Sequence, residues 1–140
     1  MITFTEDRIE VTPMLAAARL PEAGAVVLFL GVTRRFTGDR ETTRLAYQAY
    51  REMAVRELEK LEREARRRWS IAECLIEHRL GDVPAGEDSV AIVVASAHRK
   101  EAFEAGQWLI DSLKESVPIW KQEHWTDGDS DWVHPNPDAG

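Results

Sequence analysis

The chain has 140 residues and a formal net charge of −7, and 44% of its residues are hydrophobic. This composition is typical of one folded domain over residues 1–140 and excludes a disordered chain. The acidic balance argues against nucleic-acid binding, and no apolar run approaches the roughly 20 residues that span a bilayer.

The first residues and the cysteine content indicate the compartment. The opening MITFTEDRIE has acidic residues and lacks the apolar segment of a signal peptide. A single cysteine allows neither a disulfide within the chain nor a cysteine metal cluster. We therefore expect a cytoplasmic protein with no metal site and no membrane partner.

The first third of the chain is predicted to form two strands and a short helix. Residues 2–5 are β-prone and suit an edge strand. Thr12 is a candidate N-cap with Pro13 at the first helical position, which predicts a helix over residues 14–20. The run AVVLFL, residues 25–30, is typical of a buried central strand.

The middle third is predicted to contain a long helix between two strands. Residues 31–41 form a polar loop that leads to a strand over residues 42–50. Apolar residues at three- and four-residue spacing predict a helix over residues 51–69, with a charged and solvated outer face. Residues 71–80 alternate as in a strand, and Cys74 lies on its apolar face as a buried hydrophobe rather than a nucleophile.

A second central strand and a second long helix are predicted next. A turn over residues 81–88 leads to the apolar run of residues 90–97, the second central strand. Helical spacing returns over residues 100–116, and its apolar stripe consists of Ala102, Phe103, Gly106, Leu109, Ile110 and Leu113. Trp108 falls opposite this stripe, where it either belongs to a contact surface or covers a neighbouring loop.

Pro118 ends this helix, and residues 119–125 predict a further strand. A turn over residues 127–131 leads to Trp132 and Val133, and the tail from about residue 134 is expected to fray. Because helices are placed among strands without strict βαβ alternation, we expect an α+β fold. Its helices are expected on one side of a mainly antiparallel sheet.

Cationic side chains collect after the two predicted central strands. Arg34 and Arg35 follow the first, and His98 and Arg99 follow the second. Since two central strands of one sheet are expected to be neighbours, we expect their ends to converge on one ligand site. Guanidinium and imidazole groups indicate an anionic ligand such as phosphate or carboxylate.

Two lysines, Lys114 and Lys121, flank the junction at Pro118, where a turn is expected to bring them to the same pocket. A lysine at the edge of an apolar surface can have a lowered pKa and then act as a nucleophile or general base. The alternative for each is a surface residue whose aliphatic stem covers apolar neighbours. The spacing alone predicts an anion site and no particular reaction.

Five segments together resemble the large, catalytic subunit of molybdopterin synthase, the MoaE family. They are GAVVLFLGVTRR, LAYQAYREMA, IEHRLGDVPAGED, VASAHRKEAFEAGQWLIDSLKESVPIWKQE and DWV, in this order between about residues 4 and 133. The motifs SAHR, AFEAG and VPIWK are specific when they occur together. The resemblance implies an α/β hammerhead fold with an additional small antiparallel β subdomain.

The resemblance also implies a sulfurtransferase. The family converts cyclic pyranopterin monophosphate (precursor Z) to molybdopterin by forming a dithiolene. Sulfur arrives as a thiocarboxylate on the C-terminal Gly-Gly of a small ubiquitin-like subunit of the MoaD type. Two large subunits form a homodimer within a heterotetramer. No cofactor is expected to be bound permanently, because the pterin phosphate is the substrate.

The same resemblance assigns the site residues. Those implied to bind substrate are Val32, Thr33, Arg34, His98, Arg99, Lys114, Lys121, Gln122 and Glu123. Lys121 and Lys114 are the implied catalytic residues, as acid–base and electrostatic groups, and transient acylation of one of them by the partner's glycine is a further hypothesis. The sequence departs from the family pattern at two positions. Gln122 is found where a basic residue is frequent in the family, and Gln48 where Glu is frequent.

Two other classes of protein remain compatible with the residues. One is a non-catalytic α+β dimer that binds an anion, in which the lysines would be replaceable. The other is a different enzyme acting on a small phosphate, which would need no partner protein. Dithiolene formation from precursor Z and a thiocarboxylated partner separates both from a synthase.

Overall fold

Three helices and nine strands occur within residues 1–133, the part of the chain that the computed structural model describes. The helices are α1 (Val11–Ala18), α2 (Arg51–Arg68) and α3 (Arg99–Ser116). The strands are β1 (Ile2–Thr5), β2 (Ala25–Val32), β3 (Phe36–Thr37), β4 (Arg40–Ala49), β5 (Ile71–Arg79), β6 (Gly81–Pro84), β7 (Asp88–Ser96), β8 (Ile119–Trp125) and β9 (Ser130–Val133). The tail from residue 134, predicted to fray, lies outside the described residues.

The first sheet has the strand order β1-β5-β7-β2, with β1 parallel to β5 and the other pairs antiparallel. Strand β7 is central and β1 is at an edge, as predicted. The prediction that residues 25–30 form a central strand is wrong, because β2 is the other edge strand. Its sequence is apolar because helices cover both of its faces: Val27 and Phe29 pack towards α3, and Leu28 and Leu30 towards α1.

Helices therefore lie on both faces of this sheet, and not on one as predicted. The main core joins α2 and α3 to one face through residues such as Leu58, Leu109 and Ile92. Helix α1 covers the other face with Met14 and Ala18. Each large aliphatic side chain buried in this way contributes roughly 1.5–3 kcal/mol.

Helix α1 begins before its predicted start. Glu10 precedes the first turn, so Thr12 is inside the helix and is not its N-cap. Pro13 is in the first turn, where a missing N–H leaves no helical hydrogen bond unmade.

The long helices agree with the periodicity, apart from single side chains. Phe103 of the predicted stripe is 63% exposed, and Ala105 is buried in the core instead. Trp108 packs against Trp69, just after α2, with ring centroids 5.8 Å apart, and the Arg68 guanidinium stacks on it. Trp108 thus covers a neighbouring element of the same chain.

The second sheet is antiparallel, with the order β3-β4-β8-β9 and with β6 paired to β4. Residues 31–41 are only partly the predicted loop, since β3 and β4 form a hairpin there around Gly38, whose φ is 62°. Residues 81–84, predicted as part of a turn, form β6 because their backbone pairs with β4. The α+β class, the mainly antiparallel sheets and the small β subdomain are confirmed.

The short connection between α3 and β8 links the two sheets. Helix α3 packs on the first sheet, and three residues after it ends the chain enters β8 of the second. No helix in residues 1–133 combines the length and apolar character required to cross a membrane.

Candidate active site

A cavity of about 560 Å³ lies at the junction between the two sheets and the last turns of α3. Its apolar walls include Phe29, Leu45, Val90 and Leu113. Its titratable lining residues are Arg34, Tyr47, His78, Lys114, Lys121 and Glu123. A cavity of this size, with apolar walls and few polar groups, suits a small-molecule ligand.

Lys114 and Lys121 both line this cavity, as the proline junction between them led us to expect. Burial lowers the pKa of each ammonium group, and neighbouring cations lower it further. Arg34 acts on Lys114, and Lys114 acts on Lys121. Each amine therefore loses its proton more readily than a surface lysine does, as a general base or nucleophile requires.

Val32, the last residue of β2, and Arg34, two residues further on, are exposed and line the cavity. Thr33 between them is buried and is not part of that lining. Its backbone N–H donates to the Glu87 carbonyl at 3.0 Å, and its carbonyl accepts from Gly86 N–H at 2.8 Å. The backbone hydrogen bonds of Thr33 thus fix the segment that carries Arg34.

Glu123 is the buried carboxylate of the cavity, with 8% of its surface exposed. Its Oε2 atom accepts a hydrogen bond from Thr37 Oγ1 at 3.0 Å and another from Thr42 Oγ1. Both threonines belong to the β3–β4 hairpin, and neither was predicted to belong to the site.

Tyr47 and His78 were also missed from the sequence. The rings lie edge to face with centroids 5.0 Å apart, and His78 Nδ1 is 2.8 Å from the Arg79 carbonyl oxygen. Burial lowers the His78 pKa to about 4 and raises that of Tyr47, so both are neutral at physiological pH. The sequence feature that could have indicated this part of the site is a histidine, His78, on the apolar face of a predicted strand.

His98 and Arg99 are exposed, and they lie outside this cavity. Strands β2 and β7 are antiparallel, with Ala25 opposite Ser96, so the end of β7 lies beside the start of β2. The expected convergence with Arg34 within one chain is therefore wrong. Arg99 and Lys114 are also at opposite ends of α3, about 22 Å apart along its axis.

Three further polar residues of the sequence prediction lie outside the cavity. Gln122 is on the opposite face of β8 from Lys121, and its Nε2 donates to Ser130 Oγ at 2.9 Å. Gln48 is exposed on β4. Arg35 pairs with Glu41 at 3.3 Å. The two departures from the family pattern thus leave the cavity lining unchanged.

Fold and site together define an α+β protein with a partly buried cavity lined by two lysines and one arginine. The MoaE family model, described as "MoaE protein", matches residues 4–116, and the chain belongs to this family. The resemblance of the sequence motifs to that family is thereby confirmed.

Curated relatives named molybdopterin synthase catalytic subunit match nearly the full chain. The molybdopterin synthase catalytic subunit of Bacillus subtilis (strain 168) is 40% identical over 130 residues, which cover 93% of this chain and 82% of the relative. The subunit of that name from Thermoplasma volcanium is 40% identical, with 94% and 96% of the two chains covered.

Solved structures share the fold. The crystal structure of molybdopterin synthase from Staphylococcus aureus matches with a TM-score of 0.89 and 35% identity, covering 94% of this chain and 95% of that one. A complex of subunits 1 and 2 of molybdopterin-converting factor from Helicobacter pylori 26695 contains a chain with a TM-score of 0.78. That chain is 24% identical, with 94% of this chain and 89% of that chain covered, and it supports the fold alone.

Proposed function

We propose that this chain is the catalytic subunit of a molybdopterin synthase, a sulfurtransferase of molybdenum cofactor biosynthesis. It converts precursor Z to molybdopterin with sulfur from the thiocarboxylated C-terminus of a small ubiquitin-like MoaD-type subunit. The observation that carries the proposal is the shared cavity of Lys114, Lys121 and Arg34 in a chain of the MoaE family. A cytoplasmic location is part of the proposal, and the free, buried Cys74 supports it.

The cavity supplies the groups that this reaction needs. The substrate phosphate and the partner's thiocarboxylate are both anions, and Arg34 with the two lysines offers cationic donors to them. The thiocarboxylate sulfur bonds to a substrate carbon as a carbon–oxygen bond at that carbon breaks, and the oxygen leaves with the phosphate group or as water. The acyl–sulfur bond then breaks, leaving the sulfur on the substrate as a thiolate, when a nucleophile adds to the glycine carbonyl. That nucleophile is water activated by a lysine amine, or the amine itself. No permanently bound cofactor enters this scheme.

We further propose that a second copy of the chain completes the site. His98 and Arg99 are exposed at the start of α3, far from Lys114 of the same chain. If they bind the substrate as the family resemblance implies, they must approach the cavity of another subunit. A homodimer within a heterotetramer meets this requirement.

Substitution of Lys121 tests the proposed function. Lys121→Ala removes the amine while leaving the surface that binds the partner, so we expect no dithiolene product but an intact complex by size-exclusion chromatography. Lys60→Ala is the matched control, because Lys60 is exposed on α2 and pairs with Glu57. Full turnover by Lys121→Ala would show that the assignment is wrong.

A further inference from the structure

The Glu123 carboxylate is held by the hairpin beside it and forms no ion pair with its nearest lysine in sequence. Lys121 and Glu123 are two residues apart on β8 and both line the cavity. Such positions are about 6.6 Å apart on one strand face, within the reach of long side chains. Among the ion pairs formed within residues 1–133, however, none joins these two side chains within 4.0 Å.

Two threonine hydroxyls bind the Glu123 carboxylate instead. Thr37 Oγ1 donates to Glu123 Oε2 at 3.0 Å, and Thr42 Oγ1 donates to the same oxygen. Thr42 is 2% exposed, so at this donor water does not compete for the carboxylate. Hydrogen bonds to an ionised acceptor are about twice as strong as neutral ones, which allows two hydroxyls to compete with an ammonium group.

We propose that Thr37 and Thr42 are positioning residues that hold the Glu123 carboxylate away from Lys121, so that the Lys121 amine stays free to react. This inference rests on the proposed function and deepens it. It assigns to the β3–β4 hairpin a role in the chemistry through Glu123, although neither threonine is itself required to touch the substrate.

The charges around Lys121 support the inference. The titratable and charged groups that share its cavity are Arg34, Tyr47, His78, Lys114 and Glu123. Burial, Lys114 and Arg34 lower the Lys121 pKa, and Glu123 alone raises it. A direct ion pair with Glu123 would raise the Lys121 pKa further. It would thus favour the ammonium form of Lys121, which is neither a base nor a nucleophile.

The double variant Thr37→Val/Thr42→Val should release the carboxylate with little change in side-chain volume. Glu123 can then reach Lys121, and the Lys121 pKa should rise by about one unit. The rising limb of the pH–rate profile for sulfur transfer should move to higher pH by the same amount. Below that pKa the rate should fall about tenfold, since one unit corresponds to a tenfold change in the free amine.

A direct measurement separates this inference from the proposed function. The Lys121 pKa is obtained from the pH dependence of its modification by an amine-reactive reagent, quantified by mass spectrometry on the intact chain. Thr43→Val is the matched control, because Thr43 is exposed on the same strand and should leave the pKa unchanged. Adding Glu123→Gln to the double variant should abolish the increase.

A Lys121 pKa that is unchanged or lowered in the double variant would overturn the inference. Should that variant not fold, the single Thr37→Val variant must still shift the pKa upward, and no shift there overturns the inference equally. An upward shift in the double variant, together with a wild-type chain that catalyses no sulfur transfer, would support the positioning role and contradict the proposed function.

Discussion

His78 donates a hydrogen bond from Nδ1 to the backbone carbonyl of Arg79 at 2.8 Å. Because a carbonyl oxygen only accepts, the proton is on Nδ1, and burial keeps the ring neutral by lowering its pKa to about 4. Nε2 is therefore an acceptor. The cavity combines this neutral group with the cations Arg34, Lys114 and Lys121.

The buried histidine should make stability depend on pH. In the unfolded chain His78 regains its ordinary pKa of 6.5, so the unfolded state takes up a proton first as the pH falls. The free energy of unfolding should therefore be unaffected by His78 above pH 6.5. Between pH 6.5 and pH 4 it should fall by about 3 kcal/mol in total. Urea unfolding of wild type and His78→Gln across this range should show a flatter dependence in the variant. His124→Gln, which changes a partly exposed histidine, should behave as wild type.

Cys74 should be chemically silent in the folded protein. Its thiol is fully buried, and burial raises its pKa to about 12, so almost no thiolate forms at pH 8. We expect Cys74→Ala to retain sulfur transfer and to lose about 1 kcal/mol of stability. Alkylation by iodoacetamide should be blocked until urea unfolds the chain. Loss of turnover in a folded Cys74→Ala chain would instead implicate this thiol in the reaction.

A shared site should be detectable by mixing inactive chains. In a heterodimer of Lys121→Ala and Arg99→Ala subunits, one of the two sites would have both Lys121 and Arg99. Random exchange of equal amounts should restore about a quarter of wild-type activity, since half the dimers are mixed. If both residues acted within one chain, the mixture would stay as inactive as its parents.

Two glycines should respond to alanine in opposite directions. A Cβ atom at Gly24 would lie 2.3 Å from the Ala97 carbonyl oxygen, so Gly24→Ala should destabilise the fold by roughly 1–3 kcal/mol. At Gly106, inside α3, the nearest such contact is Val27 Cγ1 at an ordinary 3.7 Å. Gly106→Ala should therefore gain up to about 1 kcal/mol from helix propensity. Thermal unfolding of both variants gives the comparison, and equal effects would contradict it.

Local patterns predicted the long helices well because each buries one apolar stripe in the main core and exposes most of its remaining surface. The periodicity of residues 51–69 and 100–116 follows directly from that one-sided burial. The strand of residues 25–30 was wrongly predicted to be central because it is buried on both faces. An edge strand covered by helices on both faces has the same continuous apolar sequence as a central strand.

The site was predicted only in part, because its assembly depends on strand direction. Lys114 and Lys121 are separated by a short junction, so their common cavity could be anticipated. His98 and Arg34 follow different strands, β7 and β2, and nothing in either segment specifies that these two strands are antiparallel. The roles of Thr37 and Thr42 could not be predicted for a similar reason, since both contact Glu123 only because β4 pairs with β8.

The parallel pairing of β1 with β5 has a consequence for synthesis of the chain. Ile2 pairs with Ile76, so β1 leaves the ribosome well before β5, its partner in the sheet. At typical elongation rates this interval is roughly 4–15 s, during which an apolar segment remains unpaired. The non-local pair also raises contact order, so docking of β1 should be among the late steps in folding. Nascent chains that stall before residue 79 should therefore be open to proteases at β1.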